Sequence, residues 1–80
     1  MNVEQQVRQF IMDNMKSELP ADLTADYRLI DNGVLDSMAM FEVIAFIEES
    51  YGIQIDDEDL EADNFETTQA IAGLVSRKSA

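Results

Sequence analysis

Ser37 follows Asp36 and precedes Met38-Ala39-Met40, at the start of a stretch without Gly or Pro. A serine so placed has its hydroxyl near the free backbone N–H groups of a helix's first turn. Two chemistries fit that position. One is plain N-capping by Asp36 or Ser37; the other is a phosphate esterified to Ser37, which the first-turn N–H groups and the helix dipole would stabilise. The neighbouring residues do not choose between them. Self-catalysis by Ser37 finds no support, because the chain has no His and no Cys, and its nearest basic residue in the sequence is Arg28. Neither the usual base for a serine nucleophile nor an oxyanion clamp is supplied. Ser37 reads as the substrate of another enzyme, and the chain as no enzyme itself.

A second concentration of chemistry is acidic. Asp56, Asp57, Glu58, Asp59, Glu61, Asp63 and Glu66 fall within residues 56–66. A calcium loop of the EF-hand kind needs Gly at its sixth position, where Glu61 stands, and no Gly follows until Gly73. A solvated acidic face with loose cation screening is the reading, with no dedicated metal site. A glycosidase-like carboxylate pair would need an enclosed pocket that so short a chain has no room to build.

Eighty residues imply one domain, 1–80, with one small core and no deep cleft between domains. With 46% hydrophobic and 28% charged residues, the chain is too apolar for a disordered acidic tail, yet it lacks the apolar run of about 18 residues that spans a bilayer. The first residues carry no secretion signal and cysteine is absent, which fits a reducing cytoplasm. A net charge of −12 repels nucleic acid and anionic lipid and steers basic protein surfaces inward. A monomer that meets partners bearing Lys and Arg patches is expected, with no nucleic acid and no membrane.

Periodicity supplies the elements that must position Ser37. Val3, Val7, Phe10, Ile11 and Met15 predict an amphipathic helix from Val3 to about Lys16. Pro20 opens a long connection to about Asp36, with a short helical turn near Pro20 to Leu23 and a turn at Asp31-Asn32-Gly33. Its leucines, with Tyr27 and Ile30, would fasten it over an apolar groove. A strong helix then runs from Ser37 to about Tyr51, and Gly52 stops it. Ile53-Gln54-Ile55 is extended, and Asp56 caps a brief helical turn through Glu61. Thr67 or Thr68 starts a final helix through about Lys78, with Ile71, Leu74 and Val75 inward. Gly73 inside it costs about 1 kcal/mol relative to Ala, which suggests a packing reason.

At about 100° per residue, Met40, Val43, Ile44, Ile47 and Tyr51 share one arc of the middle helix, its core face. Met38 and Ala45 lie on the opposite arc beside Glu42 and Glu49. Two carboxylates framing small apolar side chains form a docking surface, with charge steering around a dry contact. Phe46 and Phe41 admit a plainer reading, in which the helix is packed on both sides.

These residues resemble the acyl carrier protein family. Asp31-Asn32-Gly33-Val34-Leu35-Asp36-Ser37-Met38 is similar to that family's attachment motif, a Gly followed by Asp-Ser-Leu. Phe41 to Ile55 is similar to its second helix and exit, and Asn64-Phe65-Glu66-Thr67-Thr68 with Ile71 and Leu74-Val75 to the start of its last helix. The resemblance implies an all-α four-helix bundle with a long first loop, three main helices and one short one. It implies 4′-phosphopantetheine on Ser37, attached by a phosphopantetheinyl transferase, with an acyl or aminoacyl group carried as a thioester. It implies no catalytic residues. The family's partner-reading positions fall on Asp36, Met38, Ala39, Glu42, Ala45, Glu48 and Glu49. Partners would be an acyl- or aminoacyl-loading ligase and downstream synthases or transferases with basic docking patches. Met38 replaces the commoner Leu, and Ala39 stands where fatty-acid carriers often have an acid, so the resemblance implies a discrete acyl carrier of specialised metabolism that shuttles its thioester between enzymes, with a peptidyl or aminoacyl (including D-alanyl) carrier as the alternative. An acidic, non-enzymatic interaction module is the alternative of another class.

Overall fold

The computed structural model describes residues 2–15, 19–20 and 22–79. It contains helices α1 (Val3–Asn14), α2 (Ser37–Tyr51), α3 (Ala62–Phe65) and α4 (Thr68–Ser79), with a 3₁₀ turn at Asp57–Asp59 before α3. No strand occurs among the described residues. The architecture is the all-α, four-helix arrangement expected from the sequence.

α1 begins because Asn2 and Gln5 form a reciprocal capping box, each side chain accepting the other's backbone N–H at 2.8 and 3.1 Å. Val7 and Ile11 of its apolar stripe are fully buried, and Val3, Phe10 and Met15 pack around them. The helix ends at Asn14, earlier than the periodicity suggested, and Met15 closes it by donating its N–H to the carbonyl of Ile11. Lys16 and Ser17, where the predicted end falls, lie outside the described residues.

The connection to α2 is a packed loop. Leu23, Leu29, Val34 and Leu35 enter the core, and Leu19, Tyr27 and Ile30 cover it. The short helical turn predicted near Pro20 does not form at the described positions there; Ala21 lies outside them. Leu23 is buried and its carbonyl accepts from Arg8 of α1 at 3.2 Å, so tertiary contacts hold this segment without helix. The turn at Asp31-Asn32-Gly33 is present, with Gly33 at φ 78° donating its N–H to the carbonyl of Ile30 at 3.0 Å.

α2 has the bounds read from the sequence, and Gly52 ends it in the left-handed region at φ 65°. Val43 and Ile47 are buried, while Met40, Ile44 and Tyr51 flank them half-buried. Packing on both sides holds for Phe46, whose ring stacks on Phe10 with centroids 4.3 Å apart. It does not hold for Phe41, which is 69% exposed.

The minor helix is divided differently from the expectation. Asp56 caps only the 3₁₀ turn, and a separate helical turn, α3, follows after Glu61 to bury Phe65 completely. Thr67 caps α4, its hydroxyl accepting from the N–H of Ala70 at 3.0 Å. Ile71, Leu74 and Val75 face the core, where α4 packs mainly on α1 and α3. No packing reason for Gly73 emerges: a Cβ there would only touch the Arg77 guanidinium at 3.5 Å, an ordinary contact.

Candidate functional site

The start of α2 separates capping from chemistry. Asp36 has extended backbone, at φ −88° and ψ −173°, and its carboxylate accepts the N–H of Ala39 at 2.9 Å. Its carbonyl accepts the N–H of Met40 at 2.9 Å. Asp36 is therefore the cap, and Ser37 is the first helical residue. Ser37 is exposed, and its hydroxyl bonds to no group among the described residues. The first-turn amides of Ser37 and Met38 are likewise left without a protein acceptor there.

An apolar cleft of about 130 Å³ opens beside Ser37, lined by Met40, Phe41, Ile44 and Leu60. Leu60 reaches it because Lys78, near the end of α4, binds the preceding turn, with its ammonium 3.0 Å from Asp56 and 2.8 Å from Asp59. The hydrogen bond from Lys78, aided by the Asp56 N–H, holds the Asp59 carboxyl below the ordinary carboxylate range. The same carboxylates, Asp59 first, raise Lys78. On the other flank of Ser37's helix a polar groove of about 370 Å³ runs past Asn14, Val34, Asp36, Met38 and Glu42. A larger groove, about 520 Å³ along Phe10, Phe46 and Tyr51, adjoins the far end of α2. It lies roughly 20 Å along the helix from Ser37 and contributes nothing to the serine's surroundings.

The predicted docking residues divide by exposure. Met38, Glu42, Ala45 and Glu49 are exposed on one side of α2, with Asp36 at its tip and Ala39 half-buried beside them. Glu48 is half-buried and turned toward the exit segment, where its carboxylate accepts the N–H of Ile55 at 2.8 Å. Two residues near Ser37 were missed from the sequence. Phe41 and Leu60, 69% and 44% exposed, form the apolar rim of the cleft. The signal for Phe41 was its place about 60° outside the core arc; Leu60 gave none, because it stands alone among acidic residues with no helical period to place it.

No helix is long and apolar enough to cross a membrane among the described residues. Together these features define a small helical bundle that presents one free serine at a helix start, beside a mixed acidic and apolar face. No family model matches the sequence. The chain is 34% identical over 61 residues to an acyl carrier protein of Desulforapulum autotrophicum, covering 76% of this chain and 79% of that one. It is 28% identical over 78 residues to an acyl carrier protein of Solidesulfovibrio magneticus, covering 98% and 96%. A chain in the crystal structure of an FAD-dependent dehydrogenase superposes with a TM-score of 0.79 at 28% identity, covering 86% of this chain and 97% of that one. A chain in the crystal structure of the Bradyrhizobium japonicum glycine:[carrier protein] ligase complexed with glycylated carrier protein shares the fold. Its TM-score is 0.66 at 24% identity, over 90% and 92% of the two chains. The chain belongs to the acyl carrier protein family, and its role is that of a carrier.

That family implies a phosphopantetheine prosthetic group. The residues present fit it: an exposed, uncommitted hydroxyl at Ser37, two free first-turn amides for a phosphodiester, and an apolar cleft alongside.

Proposed function

We propose that the protein is a discrete carrier, without catalytic activity of its own, that holds an acyl intermediate as a thioester on 4′-phosphopantetheine joined to Ser37. The observation that carries this reading is the hydroxyl of Ser37, exposed and left free because Asp36 does the capping. The arm, when bound, supplies a terminal thiol for the thioester. Residues 1–80 act as one carrier unit in the cytoplasm. Met38, Glu42, Ala45 and Glu49 form the docking face, with Asp36 and Ala39 at its start, and Glu48 contributes charge from its edge. The partners are a phosphopantetheinyl transferase, a loading ligase and downstream synthases or transferases with basic surfaces. Tethering gives the cargo a high effective concentration at whichever enzyme the face meets.

The cleft of about 130 Å³ beside Ser37, with Met40, Phe41, Ile44 and Leu60 along it, offers apolar contact to an acyl group carried on the arm. A peptidyl or aminoacyl cargo is the second reading, supported by Ala39 at a position where fatty-acid carriers often have an acid.

Incubation with a broad-specificity transferase and coenzyme A tests the carrier reading. The Ser37 oxygen forms a bond to the pantetheine-side phosphorus, the pyrophosphate bond breaks, adenosine 3′,5′-bisphosphate leaves and the hydroxyl proton goes to solvent. One arm should add to the wild type and none to Ser37→Ala. Failure of the folded wild type to gain mass would overturn the reading. Mass analysis of the loaded form from its source should then show an acyl group on the arm; an amino-acid or peptide group selects the second reading.

A further inference from the structure

Glu66 makes an unusual number of connections for a surface carboxylate. Its side chain, 12% exposed, lies at the junction of α3 and α4. One oxygen accepts the backbone N–H of Ile30 at 2.7 Å and that of Asp31 at 3.3 Å. The other oxygen is 3.1 Å from both Nε and a terminal guanidinium nitrogen of Arg28. Its own carbonyl accepts the N–H of Leu29 at 2.6 Å. One residue thus gathers three consecutive amides, from Leu29 to Asp31, across 35 or more positions of sequence.

These amides open the turn that delivers Ser37. The Leu29 carbonyl accepts the N–H groups of Val34 and Leu35 at 2.8 and 3.2 Å, and the side chains of Leu29, Val34 and Leu35 are all buried. Asp36 follows directly as the cap of α2. A continuous path of bonded and packed groups therefore joins the Glu66 carboxylate to the reactive serine. We infer that Glu66 is a positioning residue, a latch that holds the 29–36 turn so that Ser37 is offered to the modifying enzyme in one geometry. The inference rests on the carrier reading for its link to arm attachment, but the latch itself does not.

The Arg28 pair is the lesser part of the latch. Arg28 is 61% exposed in its side chain, where ion pairs contribute little. The amides carry more, because the Ile30 N–H is partly buried and loses its acceptor when the carboxylate is withdrawn. Acceptor reach, more than charge, should then decide the outcome. Glu66→Gln keeps a carbonyl oxygen at the same distance. Glu66→Asp keeps the charge but draws the oxygens back by about 1.5 Å, one carbon–carbon bond.

Two measurements on the full chain test this, with helicity checked by circular dichroism. In native-state hydrogen exchange the Ile30 and Asp31 amides should exchange about tenfold faster in Glu66→Asp, as expected for the loss of one charge-assisted bond, and by a clearly smaller factor in Glu66→Gln, which keeps a neutral acceptor in place. In arm addition the KM for Glu66→Asp should rise about fivefold at little changed kcat, because the competent arrangement is populated for less of the time; Glu66→Gln should restore it. The reverse order, with Gln impaired and Asp intact, would show a charge role and overturn the latch. So would unchanged exchange at both amides in Glu66→Asp. If the wild type accepted no arm, the carrier reading would fall, while the exchange comparison would still decide whether Glu66 holds the turn.

Discussion

Adjacent Asp36 and Ser37 both qualify as helix caps by residue type, and the backbone decides between them. Asp36 takes the extended conformation of a cap and satisfies two first-turn amides, so the serine enters the helix with nothing to hold. That division was not legible in the sequence, since either residue could have capped. The acidic run is similarly sorted only by folding: Asp56 and Asp59 bind Lys78, Glu66 binds the first loop, and Asp57, Glu58, Glu61 and Asp63 remain exposed. Asp59 has the pH consequence. Its carboxyl is lowered in the folded state, mainly by the Lys78 hydrogen bond. Its stabilising contribution is therefore present above the unfolded carboxylate value, about 3.9, and is lost as pH falls through the lower folded value. Thermal melts of Asp59→Asn and wild type should differ near neutrality and converge in acid; a gap that widened in acid would contradict the pairing.

At the scale of elements, α2 was legible almost residue for residue, because good helix formers, a capping start and a Gly stop all agree there. α3 escaped notice because four residues are too few for a helical period to show, and what holds it is the burial of Phe65. The anchoring of the first loop was equally hidden, since its partner Glu66 lies 36 positions from Ile30. Gly73 in α4 tests how closely that helix is packed. With only the flexible end of Arg77 nearby and no positive φ, Gly73→Ala should stabilise the protein by about 0.5–1 kcal/mol through helix propensity, measured by chemical denaturation. Destabilisation would reveal a contact that the structure lacks. Charge reversal of Glu42 and Glu49, both exposed on α2, should raise the KM of a cognate enzyme roughly tenfold and leave helicity unchanged. A loss of helicity would remove these residues from the docking face.

Over the whole molecule, charge governs what happens outside the core. Seventeen acidic residues oppose five basic ones, giving −12, and three of the five, Arg8, Arg28 and Lys78, are already held in ion pairs within the fold. What faces a partner is therefore an almost uniformly negative field around a small apolar rim, suited to weak, steered and reversible contacts. The same excess opposes folding, so moderate salt should raise the thermal midpoint by screening it; a lower midpoint in salt would mean that the ion pairs outweigh the repulsion.

The carrier role depends most on where the arm goes. After transferase and coenzyme A treatment, proteolysis and fragment mass spectrometry should place all added mass on the peptide containing Ser37 and, within it, on that residue. Addition at Ser50, Ser76 or Ser79, or an unmodified Ser37 peptide in a protein that has gained the arm, would contradict the assignment directly.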